Sequence, residues 1–155
     1  MSQPAAADDP SIPDSEWLYR RVPGSQAPFD GNRGQRWPSS AAMLPTTGEH
    51  DISVYLESVL VRDAIPTADV LEQHEGYWLA RLTCVGPRVQ GLVVVRDPVH
   101  DSERPLSCDP AHALLTQLPP GINARRRVAR ALVYDYDLEW VVAPPEDVPD
   151  VSQPD

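Results

Sequence analysis

Residues 17–23 read W-L-Y-R-R-V-P, residues 34–42 read G-Q-R-W-P-S-S-A-A, and residues 52–60 read I-S-V-Y-L-E-S-V-L. In the first block Trp17, Tyr19 and Arg21 alternate with Leu18, Arg20 and Val22. That is the period of a strand with two differently clothed faces, and Pro23-Gly24 supplies the turn that ends it. The third block is rich in Val, Tyr and Leu, which predicts a second strand over Ser53–Val61. Across the blocks, groups able to bind phosphate, stack on a ring and stabilise a cation recur in otherwise apolar surroundings.

Working outward, Thr67 is a fair helix N-cap, and Val70, Leu71 and the Gly76 stop predict one short helix. Trp78–Val85 and Leu92–Arg96 read as strands, the second a Val run consistent with burial on both faces. Ala111–Leu118 is a further strand, ended by Pro119-Pro120-Gly121. Asn123 then caps the best helix of the chain, Ala124–Tyr134, whose Val128, Ala131 and Leu132 share a face. Glu139–Val142 adds a last edge strand. The sum is a small, mainly antiparallel α+β domain with a few flanking helices. Val93, Val94, Val95, Leu114, Leu82 and Leu132 are its expected core.

A chain of 155 residues is one domain with one real core. Its 18 prolines gather at the ends and in the turns, which predicts stiff connections. Nearly half of the 23 acidic residues lie in the two ends, where no Arg occurs, so the net charge of −10 belongs to the ends and the middle is close to neutral. Acidic, Pro-rich ends cannot bury enough apolar surface to offset the entropy of ordering. Disordered tails are therefore expected over 1–15 and 143–155, around one domain at 16–142.

A near-neutral middle argues against a nucleic-acid partner, because phosphate binding needs a basic excess. Arg125, Arg126, Arg127 and Arg130 crowd one short stretch, which reads as a solvated helix face. The chain has no Lys, as the codon bias of a GC-rich bacterial genome would produce. It shows neither a secretion signal nor an apolar run long enough to span a bilayer, so a cytoplasmic protein without membrane contact is expected. Cys84 and Cys108 lack disulfide-framework or zinc spacing and are expected as free, buried thiols.

His50, His74, His100 and His112 show no metal-binding spacing, so no metal site is expected. There is no Gly-rich phosphate loop and no Gly-x-Ser-x-Gly elbow. His112 stands at the start of an apolar strand, where it reads as a hydrogen-bonded strand-end histidine. Only a carboxylate beside it in space would make it a proton shuttle.

Leu18-Tyr19-Arg20-Arg21-Val22, Gly34-Gln35-Arg36-Trp37-Pro38 and Val54-Tyr55-Leu56-Glu57-Ser58, with the helix carrying Leu71-Glu72, resemble the motifs of the RES domain. That bacterial toxin family is related to ADP-ribosyltransferases and degrades NAD. The resemblance runs over most of residues 17–118. The chain departs from the family pattern at Gln35 and Pro38, in a longer loop between Trp37 and Val54, and at Val95-Arg96-Asp97-Pro98, where the family carries its Ser. No serine of this chain takes that place. The resemblance implies a domain that cleaves the glycosidic bond of NAD, or a diverged or inactive relative, with NAD as substrate and no cofactor.

Cleavage at the nicotinamide bond passes through an oxocarbenium-like sugar, which calls for a cation on the pyrophosphate, an aromatic wall and a carboxylate near the ribose. Arg36 is assigned to the phosphate and Glu72 to the carboxylate, with Glu57 its competitor. Tyr19, Trp37 and Tyr55 are candidates for the wall, and Ser39 and Ser40 for hydrogen bonds to ribose or phosphate. A different class of function also fits: a non-catalytic interaction or immunity protein of a bacterial toxin–antitoxin system, its acidic ends covering a basic partner surface. The two separate on whether Arg36, Glu72 and a ring line one pocket.

Overall fold

The computed structural model describes residues 7–99 and 105–145. In chain order its elements are β1 (Trp17–Pro23), β2 (Phe29–Asp30), β3 (Gln35–Arg36), β4 (Ile52–Leu56), α1 (Glu57–Arg62), β5 (Tyr77–Thr83), α2 (Val85–Val89), β6 (Val93–Arg96), β7 (His112–Thr116), α3 (Ile122–Tyr134) and β8 (Glu139–Val142). Six strands form one antiparallel sheet in the order β6-β7-β4-β1-β5-β8, and β2 and β3 make a separate hairpin. This is a small α+β domain. No helix among the described residues is long and apolar enough to cross a membrane.

The two faces of β1 set up the whole sheet. Leu18 pairs with Leu56 and Leu82, and across the next strands Ile52 and Val54 pair with Leu115 and Ala113. These side chains, all essentially without exposure, join Val128, Ala129, Leu132 and Val133 of α3 in one core. The opposite face carries Tyr19 beside Tyr55 and Tyr55 beside His112, a row of polar and aromatic side chains. Both cysteines are free and buried, and burial pushes the Cys84 thiol up to about 12.

Several expected boundaries shift, each for a local reason. The strand predicted through Val61 stops at Leu56, because the Glu16 carboxylate accepts the Ser58 N–H at 2.8 Å and satisfies an orphan donor in the first turn of α1. The helix predicted after Thr67 is a 3-10 turn, Thr67–Leu71. The helix expected to start at Ala124 with Asn123 as its cap begins two residues earlier, at Ile122, after Gly121 turns the chain at φ 91°. The Val run of β6 is an edge strand: Val94 is fully buried, whereas Val93 and Val95 are half-buried on the other face. Leu114 is likewise half-buried, and Ala113 and Leu115 take the core positions of β7. A shift of one residue in a strand exchanges its faces.

The solvated stretch expected over 1–15 is corrected for residues 8–14. The Asp9 N–H donates to the Val94 carbonyl at 2.9 Å, the Asp8 carboxylate accepts the Val94 N–H at 2.8 Å, and Ile12 is 2 % exposed. Arg88 of α2 pairs with Asp8 and Asp14. The acidic segment thus covers the open edge of β6. Residues 1–6 and 146–155, and His100, lie outside the described residues.

Candidate functional site

Consecutive residues of a strand point to opposite faces, yet Arg20 and Arg21 both reach one cleft of about 500 Å³ at the end of the sheet. Arg20, only 8 % exposed, donates Nε to the Ala42 carbonyl, Nη1 to the Ser53 carbonyl and Nη2 to the Leu44 carbonyl, each at 2.9 Å. Those bonds fasten the 3-10 turn at Ser40–Met43 to β4. No carboxylate of a described residue forms an ion pair with Arg20. Burial lowers its guanidinium to about 10, with Glu49, another residue of the cleft, pulling the other way. A buried cation held by carbonyls has no contact ion pair in the cleft wall, and its charge is only partly offset by Glu49.

Arg21 leaves the other face. Its Nε donates to the Val70 carbonyl at 2.5 Å, its Nη2 reaches the Cys108 sulfur at 3.6 Å, and its guanidinium lies 4.7 Å over the Tyr55 ring. Neither bond uses Nη1. Tyr55, Tyr77 and His74 add aromatic surface to the cleft, with His74 and Tyr77 edge to face at 5.2 Å. Burial raises the Tyr55 phenol, so it remains a neutral hydroxyl.

Ser53 and His112 line the same cleft. His112 Nε2 lies 3.0 Å from Ser53 Oγ, while Nδ1 lies 2.8 Å from the Asp97 carbonyl and 3.1 Å from its Oδ2. His112 also meets Tyr55 edge to face at 5.4 Å.

Of the residues singled out in the sequence, Tyr55 lines this cleft. Arg36 donates Nε to the Ala27 carbonyl at 2.7 Å and Nη2 to the Gly24 carbonyl at 3.0 Å, and so ties the β3 strand to the loop after β1. Trp37 is buried, donates Nε1 to the Val133 carbonyl, and packs edge to face on Trp140. Its other border is a separate concavity shared with Arg33, Arg130 and Tyr134. Ser39 precedes the 3-10 turn that Ser40 begins, its N–H bonded to the Gln26 carbonyl. Glu72 is exposed after the Thr67–Leu71 turn, with Oε1 3.5 Å from the Ser107 N–H.

Tyr19 and Glu57 form another cluster with β5. The Tyr19 hydroxyl donates to Glu57 Oε2 at 2.5 Å, and Arg81 bridges Glu57 and Glu139 while lying 4.0 Å over the Trp17 ring. Arg36 and Glu72 therefore do not share a pocket with a ring, the outcome under which the non-catalytic interaction protein gains over an enzyme built on those two residues; Arg20, Arg21, Tyr55, Ser53 and His112 do share one. The residues missed left faint traces. Arg20 and Arg21 were inside the quoted strand, and Asp97 is the neighbouring carboxylate on which a shuttle role for His112 depends. Among the described residues no group of three or more His, Cys, Asp and Glu could hold a metal ion. No family model, curated protein or solved structure matches the chain.

Proposed function

We propose that the cleft binds a phosphate-bearing ligand, and that NAD, the substrate implied by the RES resemblance, is cleaved there at its nicotinamide bond. The observation that carries the reading is the meeting of Arg20 and Arg21 in one cleft, the first a buried cation without a carboxylate partner. An anionic ligand would add counter-charge to that which Glu49 already provides to Arg20. In this reading Arg21 replaces Arg36 as the phosphate-facing guanidinium, and Tyr55 and Tyr77 flank the bases. Glu49, the carboxylate of the cleft, faces the ribose in place of Glu72.

The test is nicotinamide release from NAD by the purified protein, followed by chromatography. Arg21→Ala should lower the rate by about 100-fold or more, as removal of a charge-stabilising donor does. Glu72→Ala should leave it close to the unmutated value. Absence of nicotinamide release from the unmutated protein would remove the glycosidic step. Absence of phosphate binding as well would leave the non-catalytic interaction protein as the reading.

A further inference from the structure

The NAD reading makes no use of the chain of hydrogen bonds Ser53–His112–Asp97, and its geometry is directional. A carbonyl oxygen only accepts, so the 2.8 Å contact between His112 Nδ1 and the Asp97 carbonyl requires Nδ1 to carry the proton. The Asp97 carboxylate at 3.1 Å shares that proton. The neutral ring then presents the lone pair of Nε2 to Ser53, whose hydroxyl donates to it across 3.0 Å. We infer that Ser53 is a nucleophile, His112 its general base and Asp97 the residue that positions the ring, and that the cleft hydrolyses a carboxylic ester bearing a phosphate group. The substrate class rests on the phosphate-binding reading above; the nucleophile does not.

The sheet builds this arrangement by register. Tyr55 stands opposite His112 and Ser53 opposite Leu114, so Ser53 and His112 are diagonal neighbours on one face of the β4–β7 pair. Beyond the last β6 pair, Arg96 with Ala113, the Asp97 N–H bonds to the His112 carbonyl at 2.9 Å, which sets Asp97 directly against His112. Strands β4 and β7 and the residue that directly follows β6 thus deliver the nucleophile, base and carboxylate side by side. The ring is held on its flank by Tyr55, and the Ser53 backbone is held by Arg20 Nη1. The His112 side chain is 11 % exposed and Asp97 53 %. The carboxylate is therefore hydrated, and the buried orientation of the ring falls largely to the Asp97 carbonyl.

The step is balanced with water alone. Ser53 Oγ bonds to the ester carbonyl carbon as its proton passes to His112 Nε2. The carbon–oxygen bond to the alcohol breaks, and that alcohol leaves with the proton from Nε2. A water then loses a proton to Nε2 and attacks the acyl-serine, releasing the acid and returning the proton to Ser53.

A neutral alkyl fluorophosphonate probe tests the nucleophile, with the adduct located by peptide mapping. The full chain should acquire one adduct on Ser53, and Ser53→Ala should acquire none. His112→Ala should slow labelling by at least about 100-fold while keeping the thermal midpoint near that of the unmutated chain. Asp97→Asn, which retains the carbonyl acceptor, should be slowed less than His112→Ala. Should His112→Ala fail to fold, His112→Gln with the same readout replaces it. Inorganic pyrophosphate should protect Ser53 from the probe, and Arg21→Ala should abolish that protection. No adduct on Ser53, or labelling that His112 does not influence, overturns the nucleophile and leaves the phosphate reading standing. An adduct that pyrophosphate never slows overturns the phosphorylated substrate class while the nucleophile stands.

Discussion

Arg20 and Arg21 are neighbours with the same side chain and opposite fates. Arg20 spends Nε, Nη1 and Nη2 on carbonyls and serves as a buried pin. Arg21 keeps Nη1 out of its two bonds and lies over Tyr55 beside the cleft. Tyr19, on the same face as Arg21, is held by chemistry of a different kind. Burial first, then the Glu57 carboxylate, raises its phenol from 10.0 to about 12. A folded pKa above the unfolded one contributes stability that is complete below pH 10 and is lost as pH rises toward 12. Cys84, raised from 9.0 to about 12 by burial, acts in the same direction. Stability against denaturant should therefore fall progressively from pH 9 to 12, and Tyr19→Phe should flatten the upper part of that loss. An alkaline profile unchanged by Tyr19→Phe would show that the Tyr19–Glu57 bond does not hold the phenol neutral.

At the scale of elements, inward direction matters more than apolar content. In β7 Leu115 is fully buried opposite Ile52, while Leu114 lies half-buried on the other face. Leu115→Ala should cost about 2 to 5 kcal/mol in unfolding free energy, and Leu114→Ala only about 1 kcal/mol. Equal losses in a denaturant titration would contradict the register. The existence and type of most elements were legible from period and turn residues: the alternation of 17–22, the Pro119-Pro120-Gly121 stop and the α3 face all reappear. The face of a short run such as A-L-L or V-V-V was not, because alternation is invisible when both neighbours are apolar. The end of β4 was hidden for another reason. It depends on Glu16, a residue distant in sequence whose carboxylate caps α1. The cleft was legible only in its parts, since Ser53, Asp97 and His112 converge through strand pairing across the sheet.

For the whole molecule, charge placement explains how the sheet ends. The N-terminal acids that composition assigns to solvent meet Arg88 and Arg96 and lend a carboxylate and a backbone N–H to β6, so part of the negative charge is structural. Glu57 and Glu139 are likewise engaged by Arg81. Among the described residues Arg20 is a buried cation with no ion-paired carboxylate, and it lines the cleft. Titration calorimetry with ADP-ribose, which carries the pyrophosphate without the reactive nicotinamide bond, tests that claim most directly. Saturable binding is predicted for the unmutated chain, with Arg21→Ala weakening it by about tenfold or more, the worth of a charge-assisted bond. Arg36→Ala should bind as the unmutated chain does. No binding, or equal loss from Arg36→Ala and Arg21→Ala, would contradict the assignment of this cleft to a phosphate.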